Sequence, residues 1–187
     1  MGFLLRSLRG LLGGLQPDHP DSGGAQAVPP VVPGGQPAGP VDYYIKCLAF
    51  ILAWEGGYSD NPADPGGATN HGVTQSTYDA YRKAKGETPQ SVKLISGSEV
   101  ADCYRSRYWD PMGCATLDFP WALCKLDAAV QHGPTLAKKL ASMASSPERF
   151  IEIREDFYRD IAQHRPSQQV FLKGWLNRMQ ALRQAIA

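Results

Sequence analysis

Apolar residues recur every three or four positions along most of the chain after Val41, and this spacing places them on one face of an α-helix. The clearest case is segment 147–164, whose apolar face is formed by Phe150, Ile153, Phe157 and Ile161. Similar patterns predict helices over 43–54, 76–86, 98–108, 118–132, 135–144 and 167–186. Strand patterns are scarce, and only 56–75 has the composition of a small hairpin or irregular β-wing. The sequence therefore predicts a mostly α fold.

Polar residues that precede these apolar runs are the predicted helix caps. They are Asp42, Ser76 and Ser98, while Asp118, Ser146 and Ser167 mark the predicted starts of the later helices. Ser76 and Asp79 have the spacing of a capping box, in which each residue satisfies a backbone donor near the other. Gly56 and Gly133 follow two of the apolar runs, and we expect them to end these helices because glycine readily adopts the left-handed conformation.

The first forty residues differ from the rest in composition. Residues 1–15 hold seven bulky apolar side chains around Arg6 and Arg9, at a spacing that predicts a short amphipathic helix. This segment is too short to span a bilayer, and no signal-peptide cleavage site follows it closely. Contact with a membrane surface or another protein, and packing against its own domain, both remain open. Residues 16–41 hold seven prolines and five glycines, which predicts an extended linker.

The charge balance changes along the chain. The net charge is only +1, but segment 41–80 carries −4 and the part from Tyr81 onward carries +5. A basic part of this size can attract an anionic substrate, although solvated helices often show the same imbalance. We expect no nucleic-acid partner and a monomer.

The four cysteines have neither the spacing of a metal site nor that of a redox pair. They are Cys47, Cys103, Cys114 and Cys124. Buried free thiols are the expected state, and one or two disulfides are the alternative if the protein works outside the cytoplasm. We expect no metal and no organic cofactor.

Glu55 is the first candidate for chemistry. It is expected on the last turn of the first helix, beside Trp54 and Tyr58 and before a glycine-rich polar loop. The free carbonyls of a helix end and an apolar environment both disfavour a second negative charge. The side chain is therefore expected to hold its proton near neutral pH, as the general acid of a glycosidase must.

The segment EGGYSDNPADPGGATNHGVTQ, residues 55–75, resembles the signature of glycoside hydrolase family 108, the phage-type N-acetylmuramidases. The segments KLDAAVQHGP, residues 125–134, and FLKGWLNR, residues 171–178, resemble the peptidoglycan-binding region that follows it in this family. The resemblance implies a lysozyme-like fold, with a catalytic segment over 42–115 and a helical peptidoglycan-binding region over 116–187, packed together as one unit. It also implies that Glu55 is catalytic.

The second catalytic group is less well defined. Asp64 follows Glu55 after eight intervening residues, and Thr69 follows Asp64 after four, a pattern similar to that of phage lysozymes with one residue fewer before the threonine. This similarity implies that Asp64 and Thr69 orient the attacking water. Alternatively, Asp64 caps the Asp-Pro-Gly-Gly turn, and Asp60, in a similar turn, takes the catalytic part.

Several further residues are candidates for substrate contacts. In the catalytic segment they are Tyr58, Asn70, His71 and Trp109. Aromatic rings and amides commonly stack on or hydrogen-bond to sugars, although for Trp109 burial in the core is the favoured interpretation. Asn177 and Arg178, in the GWLNR motif, lie on helical faces that we expect to be exposed. His132 is interpreted as a helix C-cap residue.

Taken together, the residues and the resemblance predict a muramidase that cleaves the β-1,4 bond between N-acetylmuramic acid and N-acetylglucosamine in peptidoglycan. The expected setting is bacterial cell-wall lysis by a phage or prophage endolysin or a virion-associated lysozyme, made in the cytoplasm and acting in the periplasm or cell wall. Residues 1–15 are then candidates for membrane or virion contact. A lytic transglycosylase and a non-catalytic wall-binding or particle-assembly protein are the alternatives.

Overall fold

The computed structural model describes residues 42–60 and 67–187 of the chain. The predicted amphipathic helix 1–15, the predicted linker 16–41 and Asp64 lie outside the described residues.

The described part of the chain is mostly helical, which confirms the predicted class. Its α-helices are α1 Tyr44–Leu52, α2 Gln75–Ala84, α3 Gly97–Tyr104, α4 Phe119–His132, α5 Pro134–Ala141, α6 Pro147–His164 and α7 Gln169–Ile186. A π-helix, Arg105–Trp109, continues α3, and 3₁₀ turns cover Val92–Leu94, Cys114–Thr116 and Pro166–Gln168. Two short strands, β1 Thr69–Asn70 and β2 Val73–Thr74, form an antiparallel pair.

A helix usually begins directly after a residue whose side chain accepts a hydrogen bond from its free N–H groups. Asp118 accepts a hydrogen bond from Trp121 N, and Ser146 accepts one from Arg149 N, so these two helices begin where the sequence predicted. The predicted caps Ser76 and Ser98 are wrong by two residues. The observed caps are Thr74 for α2 and Ser96 for α3, the latter in a reciprocal capping box with Glu99. Residue type alone did not distinguish between serines and threonines two positions apart.

The predicted β-wing is a hairpin with a two-residue turn. Asn70 pairs with Val73, so His71 and Gly72 form the turn, and their φ angles are +46° and +76°. Positive φ at both central residues is the geometry of a tight hairpin turn whose twist matches that of the strands. Ser59 extends the wing through backbone hydrogen bonds of 2.8 Å in both directions with Thr69.

Helix α4 lies at the centre of the fold, and nearly all of its residues after the first turn are buried. It packs against α1, the π-helix, α5, α6 and α7, while α6 and α7 also pack against each other along their length. Fully buried large side chains come from every one of these elements except α5, and they include Ile51, Trp109, Leu123, Phe150 and Trp175. Segments 42–115 and 116–187 thus contribute to one continuous hydrophobic core.

The four cysteines are buried free thiols in this core, as the first interpretation expected. Burial raises the pKa of Cys103 to about 11 and the pKa of Cys47, Cys114 and Cys124 to about 12. These thiols are therefore neutral packing groups at neutral pH. No helix within 42–60 or 67–187 combines the length and the apolar character that crossing a membrane requires.

Candidate active site

Glu55 lies just beyond α1 rather than on its last turn, so that part of the prediction is wrong. The α-helix ends at Leu52, and two tighter turns follow, with hydrogen bonds from Trp54 N to Ile51 O at 3.0 Å and from Glu55 N to Leu52 O at 3.1 Å. The C-cap residue is Ala53 in a right-handed conformation, and Gly57 is not left-handed. The tighter turns, and not a glycine, end this helix.

The carboxyl group of Glu55 lies against the tip of the hairpin. A β-carbon added to Gly72 would be 2.7 Å from Glu55 Oε2 and 3.2 Å from Glu55 Cδ, and it would also collide with the hydroxyl of Tyr104. The Oε1 atom of Glu55 is buried. Only glycine at position 72 leaves room for the carboxyl group and the phenol to meet the backbone at this point.

Hydrogen bonds from two sides hold the hairpin in this position. Tyr104, at the end of α3, is buried, and its hydroxyl donates to the carbonyl oxygen of His71 at 3.0 Å. The side-chain amide of Asn70 donates to the carbonyl oxygens of Val92 and Lys93, both at 3.2 Å. Because each bond joins the turn to a separate segment, the backbone next to Glu55 is fixed in place.

The remaining predicted residues of the catalytic segment lie in different environments. Tyr58 and His71 are exposed on the wing, where a ligand can reach them, and Tyr58 donates a hydrogen bond to Asp60 Oδ2 at 3.3 Å. Thr69 is half-buried, and its hydroxyl donates to Gly67 O at 3.3 Å. Asn70 is buried, with its amide engaged by the backbone as described above. His71 is the one described residue other than glycine with a positive φ.

Trp109 lies in the core. Its side chain is fully buried and packs edge-on against Tyr44, with ring centroids 5.1 Å apart. Trp109 had two interpretations from the sequence, a substrate contact or a core residue, and the structure places it in the core. Its buried side chain leaves no surface that a sugar could contact.

Arg178 is buried, so the expectation that it is exposed is wrong, whereas Asn177 beside it is exposed. The guanidinium of Arg178 donates from Nε to Asp127 Oδ1 at 2.8 Å, and the other carboxylate oxygen accepts from Arg154 at 2.7 Å. Arg178 also lies over the ring of Trp54, 5.6 Å from its centroid, within the range of a cation–π interaction. Trp54 directly precedes Glu55 in the chain, so this network supports the segment that carries the candidate acid.

Sequence reasoning missed the buried charge network formed by Asp127, Arg154 and Arg178. Burial alone would raise the pKa of Asp127, but the charges of the two arginines and their hydrogen bonds outweigh it and hold that pKa below its usual value. The available signal was an acidic residue within run 122–130, which is apolar apart from Lys125 and Asp127.

His132 ends α4 and is buried beside this network. Its Nε2 atom lies 3.1 Å from the hydroxyl of Tyr158, which also accepts a hydrogen bond from Arg154 at 3.3 Å. Burial and then the positive charge of Arg154 hold the pKa of His132 well below its usual value, so the ring is neutral near pH 7. Within 42–60 and 67–187, no group of three or more His, Cys, Asp or Glu side chains could hold a metal ion.

Comparison with known proteins finds similarity over the region that contains this candidate site. Residues 48–133 match the model of the family Glycosyl hydrolase 108, and this match supports a glycoside hydrolase. The matched region contains Glu55, the hairpin and α4 up to Gly133.

A solved structure is similar along most of the chain. It is that of SagA from Brucella abortus, with a TM-score of 0.61 and 27% sequence identity, and the alignment covers 76% of this chain and 92% of that one. The fold is thus mostly helical and lysozyme-like, with a small two-stranded sheet. No curated protein is significantly similar to this chain in sequence. The family match ends at residue 133, so a peptidoglycan-binding role of the later helices stays a prediction.

Proposed function

We propose that this protein is a peptidoglycan hydrolase in which Glu55 is the general acid. The observation that supports this most strongly is the position of Glu55: its Oε1 atom is buried, and its Oε2 atom lies against a hairpin turn that only glycine at position 72 permits. A surface glutamate needs no such environment. The match to Glycosyl hydrolase 108 over residues 48–133 and the similarity to SagA support the same function.

The proposed reaction is hydrolysis of the β-1,4 bond between N-acetylmuramic acid and N-acetylglucosamine. Protonated Glu55 gives its proton to the glycosidic oxygen as the bond from the anomeric carbon to that oxygen breaks, and the electron pair leaves with the oxygen. Positive charge develops on the sugar as this bond breaks, and a water molecule attacks the anomeric carbon while a second carboxylate accepts one of the protons of that water. In this proposal the environment of the buried Oε1 atom favours the neutral form of Glu55 before the step.

Asp64 is the proposed partner that orients the attacking water, with Thr69 helping to hold that water, in an inverting reaction. Asp64 lies outside the described residues, and this assignment is supported by the spacing of the two acids and the threonine in the sequence. Tyr58 and His71 are the proposed substrate contacts on the exposed side of the wing, because both side chains reach solvent there. The buried Asn70 and Tyr104 have a different proposed role, since they position the backbone beside Glu55.

The proposed biological setting is lysis of the bacterial cell wall by a phage or prophage endolysin or a virion-associated lysozyme. The supporting feature is the resemblance of segment 55–75 to the phage-type muramidase signature. In this setting the protein is made in the cytoplasm and acts on peptidoglycan, and residues 1–15 are proposed to contact a membrane or the virion.

The proposal is tested by incubating purified sacculi with the protein and identifying the new glycan ends by mass spectrometry. Wild type is expected to release fragments with N-acetylmuramic acid at the reducing end. Glu55→Gln is expected to lose activity by at least about 100-fold, because a general acid typically contributes about 10²–10⁴-fold. Glu152→Gln, which makes the same change at an exposed side chain of α6, is the matched control and is expected to keep full activity.

The products also separate the alternatives. Reducing ends that are 1,6-anhydro sugars would identify a lytic transglycosylase, and binding to sacculi without release would identify a non-catalytic wall-binding protein. Equal release by wild type and Glu55→Gln, with both variants folded by circular dichroism, would refute the role given to Glu55.

A further inference from the structure

A groove of about 450 Å³ lies between α2 on one side and α3 with the π-helix on the other. Charged and aromatic side chains line it, and they include Tyr81, Lys85, Asp102, Arg105, Arg107 and Asp110. The groove is large enough for a sugar or a short peptide. None of these six residues belongs to the environment of Glu55 described above.

A small cavity of about 10 Å³ lies beside the groove, and Gly72, Tyr104 and Arg107 are among the residues that line it. Gly72 and Tyr104 are the groups that meet the carboxyl of Glu55. Arg107 lines both the small cavity and the large groove. The groove therefore neighbours the residues that meet Glu55, and Arg107 is the charged side chain that lines both spaces.

Two of the three cations in the groove are already paired with carboxylates. Lys85 Nζ lies 2.6 Å from Asp102, and Arg105 lies 2.8 Å from Asp42 and 3.7 Å from Asp110. Arg107 is exposed and forms no ion pair with any carboxylate in the part of the chain that the structure describes. Its guanidinium is therefore the group in this groove that can bind a new anion.

The π-helix explains how Arg107 comes to this position. The N–H of Asp110 bonds to the carbonyl of Arg105 at 2.9 Å, which is the wider spacing of a π-turn. Within the same turn, Tyr108 and Trp109 are buried in the core while Arg107 lies at the groove. Single π-turns inside helices occur frequently at functional sites.

We propose that this groove is a subsite for the anionic part of the substrate and that Arg107 binds a substrate carboxylate. The inference rests on the proposed peptidoglycan hydrolase function and names the feature of peptidoglycan that this enzyme selects. A guanidinium binds a carboxylate through two parallel hydrogen bonds, so it provides both charge and orientation. In peptidoglycan the carboxylate comes either from the stem peptide or, where the peptide is absent, from the lactyl group of muramic acid.

The experiment uses soluble glycan strands in three forms: native with stem peptides, freed of peptides by an amidase, and native with all carboxylates converted to amides. Wild type is expected to cleave the native strands about tenfold more efficiently than the amidated strands, which corresponds to about 1.4 kcal/mol. In Arg107→Gln this ratio is expected to fall to about one, and Arg107→Lys is expected to keep part of it. The peptide-free strands show which carboxylate Arg107 binds. If the preference over amidated strands disappears when the peptide is removed, the carboxylate belongs to the stem peptide. If the preference persists, it belongs to the lactyl group.

Arg165→Gln is the matched control, because it removes the same charge at an exposed arginine between α6 and α7 and is expected to keep the tenfold ratio. The inference is overturned if wild type does not distinguish native from amidated strands, or if Arg107→Gln distinguishes them as well as wild type does. Binding of the same strands to Glu55→Gln, with and without Arg107→Gln, is measured by calorimetry. This binding measurement tests the role of Arg107 even if the protein cleaves no strand. Absence of cleavage by wild type would refute the proposed hydrolase function but not the proposed anion-binding role of the groove.

Discussion

Replacing Gly72 by alanine tests the proposed active-site geometry most directly. The new β-carbon would lie 2.7 Å from Glu55 Oε2 and would also collide with the hydroxyl of Tyr104. An ordinary contact between such atoms is at least about 3.4 Å, so the carboxylate oxygen must move by about 0.7 Å or the hairpin must lift away. Either movement changes the distance between the acid and the glycosidic oxygen.

The expected loss of stability has two parts. Gly72 has a φ of +76°, and placing alanine in this left-handed region costs roughly 1–2 kcal/mol. Forcing a methyl group into a filled space costs roughly another 1–3 kcal/mol. The free energy of unfolding of Gly72→Ala is therefore expected to fall by about 2–5 kcal/mol, with catalytic efficiency on sacculi reduced by up to about 100-fold, because a shift of this size misplaces a reacting group.

Gly86→Ala is the matched control. Gly86 has a φ of +72°, but a β-carbon there would meet no atom within 4 Å. This variant is expected to lose only the roughly 1–2 kcal/mol of backbone strain and to retain full activity. Urea unfolding and release of glycan fragments are measured for both variants, the latter at a temperature where both are folded. Equal losses of unfolding free energy in the two variants, or full activity in Gly72→Ala, would show that the position of Glu55 does not depend on its contact with the hairpin.

Two further predictions concern the buried charge network. Asp127→Asn leaves the guanidinium groups of Arg154 and Arg178 uncompensated in the core, so the free energy of unfolding is expected to fall by about 3–5 kcal/mol in urea titrations. Glu152→Gln, at a solvent-exposed ion pair, is expected to cost less than about 1 kcal/mol, and a similar value for Asp127→Asn would contradict the importance of the network. His132 has its pKa lowered by burial, so its contribution to stability is complete above its unfolded value near 6.5 and is lost as the pH falls below that value. Unfolding measured from pH 7.5 to 5 should show a loss of stability at the lower pH that is absent in His132→Gln, and parallel curves for the two proteins would exclude this histidine as the cause.

The sequence by itself determined the helices and the identity of the candidate acid. Helix α4 begins after Asp118 and α6 begins after Ser146 as predicted, because the capping side chain, the following proline and the apolar spacing all act within a few residues. The β-wing was likewise indicated by its glycine-rich, polar composition. Glu55 was identified from a continuous motif that needs no knowledge of the fold.

Only the tertiary structure decided which distant groups surround the acid and which polar residues are buried. The meeting of Glu55, Gly72 and Tyr104 depends on how the hairpin packs against α3, and the sequence spacing contains no information about that contact. Arg178 was expected to be exposed because it lies on a different helical face from the apolar residues. Helical periodicity does not show whether a carboxylate in the core can pair with such a residue. Asp127 on α4 is that partner, and its carboxylate also binds Arg154 of α6. A buried network of this kind is stable only when the packing brings all its members together.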